Sequence, residues 1–249
     1  MNEIPRDVVT ANAYLADALA DLYAVFSAYP VPTQLHASPL RDTAKILAHL
    51  ISAPLKELSA NALGRFASHA ITTVGDVDDY KHFLPRIIHL AVVGAEGEPG
   101  LDPTLIAEKL LYANWPGWPE AERVTIIAVV EAAWARLRFF HPDERDAEDW
   151  LCATALLGLS VVPKLTVWLD DQAPGSAAQF AQFVARMRDL REPEDFWSGV
   201  PEGVRQSIIV FLCDPDVETR LRGAGVAAAN SDIWLFEEAL KAILHLKHT

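Results

Sequence analysis

The stretch TTVGDVDDYKHFLPRIIHL, Thr72–Leu90, gathers a glycine, three aspartates, two histidines, an arginine and a proline into one short segment of a 249-residue chain. Two readings compete for it. One is a turn followed by an acid-capped helix bent at its proline. The other is a set of ionisable side chains assembled for binding or catalysis.

The structural reading explains each residue in turn. Leu63, Phe66, Ala67, Ala70 and Ile71 recur at helical spacing, which predicts a helix over 60–73 with Gly75 as the left-handed residue that closes it. Asp76 then caps a second helix over 77–93. Asp78 and Asp79 fall in its first turn, where the helix dipole favours a carboxylate by about 0.3–1 kcal/mol. Val77, Tyr80, Leu84, Ile87, Ile88 and Ala91 form an apolar stripe. Pro85 cannot donate to the carbonyl of Lys81 and restricts Leu84, so a bend or a fresh helix start is expected there.

The functional reading starts from spacing. Asp79, His82, Arg86 and His89 succeed one another at intervals that place them along one edge of the helix, and His69 on the preceding helix would face them. Such a set suits a metal, an anion or acid–base chemistry. The pattern contains no His-Glu-x-x-His and no His-Asp doublet, while Asp–His and Asp–Arg pairs at helical spacing are common surface stabilisers. The structural reading is therefore preferred. It expects Arg86 to reach a carbonyl or carboxylate near the bend, because a fixed charge among apolar residues must be paired or reach water. It gives His82 an ordinary hydrogen-bond partner. No catalytic residue, metal ligand or cofactor is assigned.

Working outward, the helical period recurs almost everywhere. Helices are expected over 8–28, 39–51, 60–73, 77–93, 103–113, 119–139, 147–158, 163–171, 177–190, 201–212, 215–228 and 232–247. Ser38-Pro39, Asp102-Pro103 and Asp214-Pro215 each read as a capping side chain followed by proline at the first helical position. Pro119, Pro163 and Pro201 open helices with weaker caps, and Ser59 and Ser176 read as N-caps. Only LSVVPKLTVWL, Leu159–Leu169, is rich enough in β-branched residues to read also as a strand. The fold class is all-α: an irregular helical repeat of the α-solenoid, HEAT-like kind, or a compact multi-helix bundle, with about ten to twelve helices. A single domain over 1–249 is expected. The glycine-rich GAEGEPG, Gly94–Gly100, is a soft joint between two lobes or a loop on one domain.

Two resemblances bear on this. Asp214–Ala229, DPDVETRLRGAGVAAA, is similar to one helix of a HEAT-type repeat, though no strict repeat period emerges. Thr72, Thr73, Gly75, Asp76, Asp79, Tyr80, Lys81, His82, Phe83, Leu84, Pro85 and Arg86 match a stretch of the form Thr-Thr-(Trp/Val)-Gly-Asp-x-x-Asp-(Phe/Tyr)-(Lys/Arg)-His-Phe-Leu-Pro-Arg. In this the chain resembles a group of uncharacterised bacterial all-helical proteins. The resemblance implies an all-helical fold and carries no activity. It also implies paired cysteines just upstream, where this chain has QLHASPL, Gln34–Leu40, without one.

The formal net charge of −13 argues against nucleic-acid binding, which needs a clustered basic surface, and disfavours anionic membranes. It suits a basic protein partner or simple solubility. The two cysteines, Cys152 and Cys213, lie among apolar neighbours and read as buried free thiols of a reducing compartment. With no Cys-x-x-Cys pair, cysteine-type zinc is excluded. MNEIPRDVV shows no secretory pattern, and the longest apolar run, Leu151–Pro163, is too short for a bilayer, so a cytoplasmic location is expected. Trp115 and Trp118 in NWPGWPEAERV would anchor a partner if exposed, or staple helices if packed; packing is the expected state. Glu131 is expected on a polar face or paired with Arg123 or Arg138. FFHPDERDAEDW, Phe139–Trp150, reads as a solvated charged loop. No P-loop, Gly-x-Gly-x-x-Gly or nucleophile elbow occurs.

These readings point to a non-enzymatic helical protein-binding module for a basic partner, of the inhibitor, antitoxin, immunity or assembly-factor kind. The alternative is a metal- or anion-binding enzyme using the Asp/His/Arg cluster around residues 76–89.

Overall fold

The computed structural model describes residues 5–38, 41–94, 98, 100–171, 173–193 and 196–248. Among them are twelve α-helices joined by short turns. They are α1 (Val8–Phe26), α2 (Thr43–Leu50), α3 (Ala60–His69), α4 (Val77–Val93), α5 (Pro103–Tyr112), α6 (Glu120–Leu137), α7 (Glu148–Leu156), α8 (Val162–Asp170), α9 (Pro174–Arg186), α10 (Glu202–Leu212), α11 (Pro215–Ala227) and α12 (Ile233–His248). The described residues contain no strand, only isolated bridges at Ala37–Val74 and Ala70–Val74. The all-α expectation holds. None of these helices is long and apolar enough to cross a membrane.

Most starts follow the sequence signals. The Asp102 side chain accepts from the N–H groups of Thr104 and Leu105, Asp214 from Asp216, and Ser59 from Ala62, each ahead of its helix. Two expectations need correction. α2 begins at Thr43 under an Asp42 cap rather than at Ser38-Pro39; Pro39 itself lies outside the described residues. Ser176 is not a cap, because Pro174 with its preset φ already opens α9 and leaves Ser176 fully buried inside it. The helix expected over 163–171 is present: α8 starts beside Pro163 and its Trp168 enters the core, so Leu159–Leu169 forms no strand. The soft joint expected at 94–100 includes Ala95, Glu96, Gly97 and Pro99, which lie outside the described residues.

The chain gathers into two compact units, Asn12–Ala133 and Met1–Ala11 with Trp134–Thr249; the divisions fall within α1 and α6. In the unit of Asn12–Ala133, α3 packs on α2 and α4, and α4 on α5. The rings of Phe66 and Phe83 meet edge to face at 5.2 Å across the α3–α4 contact. In the other unit α12 packs on both α9 and α11, and α8 packs on α9. Trp168 anchors that core, with Trp134, Phe180 and Phe183 at 6.0, 5.7 and 5.6 Å between ring centres. Arg138 is buried beside Asp171, with which it pairs, and donates to the Pro5 carbonyl at 2.6 Å. Glu131 lies near Tyr14, whose hydroxyl is pushed up by burial and then by that carboxylate.

The tightest backbone approach is at Gly100, with φ of +86° just before α5. A Cβ there would lie 2.2 Å from the Ser68 nitrogen and 2.7 Å from the Gly64 carbonyl of α3. Gly100→Ala should cost about 3 kcal/mol or more, from overpacking plus left-handed strain. Gly223, exposed within α11 with open space around it, should behave oppositely. Gly223→Ala should stabilise by about 0.5–1 kcal/mol. Chemical denaturation of both variants checks the pair.

Candidate functional site

The segment before α4 is more elaborate than a helix ending in glycine. α3 stops at His69, and Ile71 takes the left-handed conformation (φ 67°) in place of its expected inner-face position in a helix. The His69 carbonyl accepts from the backbone of Thr73 and Val74 and from the Thr72 hydroxyl. The buried Lys109 ammonium donates to the Ala70 carbonyl at 3.1 Å and to Thr72 Oγ1 at 3.2 Å, tying α5 to this turn. Gly75 has φ of +67°, and its N–H donates to the His36 carbonyl at 2.6 Å. Gly75 is thus left-handed as expected, although it follows a turn rather than the helix end. Asp76 caps α4, and Asp79 returns the favour by accepting from the Asp76 N–H, a reciprocal capping box.

α4 departs from the one-sided stripe. Tyr80, Lys81, His82, Phe83, Leu84 and Pro85 are all buried, so the middle of the helix is enclosed on every side. It continues as one helix through Pro85. Lys81, buried to 6% exposure, donates to the Tyr29 hydroxyl at 2.8 Å and pairs with Glu122 at 2.7 Å. Its ammonium sits 4.1 Å from the centre of the Trp118 ring. Burial pulls the Lys81 pKa down, but the bonds from Glu122 and Tyr29 outweigh it and the net shift is upward.

The proposed cluster of His69, Asp79, His82, Arg86 and His89 is only partly gathered. His82, Arg86 and His89 do share a face of α4, and it is turned towards α1 and the segments beside it. His82 Nδ1 meets the Tyr29 carbonyl at 2.9 Å, Arg86 Nε donates to the Leu58 carbonyl at 2.8 Å, and His89 Nδ1 lies 3.2 Å from the Tyr23 hydroxyl. Asp79 is occupied in the capping box, and its carboxyl is raised, first by burial. The charges acting on His69 are those of Arg41 and Lys109, not those of α4. Among the described residues no group of three or more His, Cys, Asp and Glu side chains is arranged to hold a metal. Trp115 and Trp118 are buried at 5% and 8% exposure. They are staples rather than accessible anchors, and the Trp118 indole donates to the Ala113 carbonyl. Cys152 is buried and Cys213 half-buried, both free.

A second locus, in the unit that contains α7–α12, went unread in the sequence. His141, Asp143, Gln182, Ser231, Asp232 and Trp234 line a recess of about 270 Å³. The Asp143 N–H donates to His141 Nδ1, so the neutral ring carries its hydrogen on Nε2, which lies 3.4 Å from Asp232. The Ser231 hydroxyl donates to Asp232. Asp143 is 89% exposed and Trp234 59% exposed. Ile233, next to Trp234 in the chain, is 39% exposed. The signal was available in one respect: Trp234 falls off the stripe of Leu235, Phe236, Ala239, Ala242, Ile243 and Leu246 that α12 buries. The convergence with His141 links residues too far apart for any spacing rule.

Compared with protein-family models, curated proteins and solved structures, the chain gives no match.

Burial, then Arg86 and Lys56, hold the His89 pKa below its usual 6.5. The unfolded chain therefore takes the proton first as pH falls. The stability this histidine contributes is complete above pH 6.5 and is lost as pH drops through the lower folded-state value. Denaturation at about pH 7.5 and pH 5 should show a smaller acid loss in His89→Gln than in the parent. An unchanged loss would assign the acid sensitivity elsewhere.

Proposed function

We propose that the protein is a non-enzymatic helical module that binds a basic protein partner, as an inhibitor, an antitoxin or immunity-type protein, or an assembly factor does. The observation that carries this reading is the acidic recess beside Trp234. Two carboxylates and an exposed indole face a space of about 270 Å³, enough for a lysine or arginine side chain. An indole face attracts a cation, by about 0.5–1 kcal/mol at an exposed site, and a carboxylate pairs with it. Ile233, the exposed residue before Trp234 in α12, adds apolar surface beside that anchor, and tryptophan is enriched among residues that dominate binding energy.

The charge of the surroundings agrees. Residues 143–149 carry one arginine and five carboxylates, of which Asp146 and Glu148 pair with Arg186, within a chain of net charge −13. Such a field accelerates encounter with a cationic surface and weakens with salt. The α4 cluster supports this reading indirectly, since His82, Arg86 and Asp79 are each engaged in bonds that hold the fold.

The test is co-purification from the native host, with Trp234→Ala and Asp232→Asn variants in parallel. The expected result is a basic protein retained by the parent, released by about 0.5 M salt, and lost at least ten-fold in both variants while their melting temperatures stay near the parent's. Equal retention by the parent and the two variants would contradict the recess as the binding site.

A further inference from the structure

A different recess borders α4 in the unit of Asn12–Ala133. It encloses about 430 Å³, and Leu50, Ile51, Leu58 and Phe83 supply much of its apolar wall. That is room for about fourteen waters at roughly 30 Å³ each, within the range of small-ligand sites. No residue lining it is charged, and the one serine, Ser52, already donates its hydroxyl to the His49 carbonyl at 2.8 Å. The remaining polar side chain is His82.

His82 is nine-tenths buried, with 9% exposure. Its tautomer is fixed by its surroundings. The Tyr29 carbonyl, 2.9 Å from Nδ1, can only accept, so Nδ1 carries the hydrogen. Nε2 is then a bare lone pair, and no described residue bonds to it. The ring is held edge to face against Phe83, with centres 4.7 Å apart and planes at 87°. A fixed acceptor in an uncharged apolar recess discriminates among ligands. Anions and cations find no counter-charge there, and molecules without a donor leave Nε2 unsatisfied once water is displaced.

We propose that this recess binds a small neutral hydroxyl compound, an alcohol or phenol with an apolar body, whose O–H donates to His82 Nε2. The apolar body replaces water against Leu50, Ile51 and Leu58, and the hydroxyl donates to the one side-chain acceptor of the wall without a described partner. Two contributions of different kind, area and direction, thus act on one ligand. This site is independent of the acidic recess beside Trp234 and does not rest on the partner-binding reading.

The probes are 1-octanol and its isomer 1-methoxyheptane, which has the same atoms and no donor. Binding is followed by titration in the full-length protein, with the ¹⁵N shifts of the His82 ring recorded alongside. The alcohol should bind saturably and about five-fold or more tighter than the ether, and the His82 Nε2 signal should stay at a hydrogen-bonded position with the alcohol and move away from it with the ether. His82→Phe keeps the apolar wall and should erase the difference between the two probes. Ile51→Trp, built on a side chain 50% exposed at the rim, should block both probes and leave the fold intact. If His82→Phe does not fold, the parent's Nε2 shift and Ile51→Trp still decide. Equal affinity for the two isomers in the parent, no saturable binding of the alcohol, or undiminished binding in Ile51→Trp would each overturn the proposal.

Discussion

A buried ammonium sets the terms for the unit of Asn12–Ala133. Lys81 sits in the middle of α4 with 6% exposure, where a lone charge would be held out of water at a cost of several kcal/mol. It is tolerated because three separate segments converge on it. Glu122 of α6 supplies the countercharge, Tyr29 beyond α1 supplies a hydroxyl that donates onward to Glu122 at 2.5 Å, and Trp118 supplies a ring face. Each of these must be in place for the others to be satisfied. This polar knot fixes the register of α4 against its neighbours more sharply than apolar contact alone, which tolerates many arrangements of similar volume.

With α4 so enclosed, its other polar residues follow. Arg86 reaches the Leu58 carbonyl, and His89 meets Tyr23. His82 is drawn to the Tyr29 carbonyl through Nδ1, and the residue also lines the apolar recess. At the head of the helix, the Asp76–Asp79 capping box and the Lys109 tie to Ala70 and Thr72 hold the turn that carries Ile71 and Gly75 in left-handed conformations. The polar residues of Thr72–Leu90 thus serve the architecture first. In the other unit, the exposed Trp234 and the carboxylates of Asp143 and Asp232 line a recess.

The helices were legible because their signals are local. The Asp102-Pro103 and Asp214-Pro215 starts, the Asp76 cap and the left-handed Gly75 depend on residues within one turn of one another, and the structure has them where the pattern placed them. What was not legible depends on distance along the chain. Ile71 fits a helix by periodicity, but the turn tied down by Lys109 and paired with Ala37 draws it out of one. The stripe on α4 described one buried face, whereas six consecutive residues are buried because helices and turns from both sides close over them. Nothing local marks Lys81 as buried, since its partners, Tyr29 and Glu122, lie far off in sequence. The same limit applied to the sites: the candidate cluster was a local pattern, while the recess of His141, Asp232 and Trp234 is a meeting of distant segments. An aromatic residue standing off its helix's buried stripe, as Trp234 does, is the part of that arrangement a sequence can signal.

The central claim is that the polar residues of α4 are there to hold it among its neighbours, with Lys81–Glu122 as the key pair. A double-mutant cycle on Lys81→Met and Glu122→Leu, read by chemical denaturation, tests it most directly. Each single substitution should cost about 3–5 kcal/mol, because it leaves the partner charged and buried. The double variant should cost far less than the two combined, since no stranded charge remains. Additive losses, or single variants within about 0.5 kcal/mol of the parent, would contradict the account.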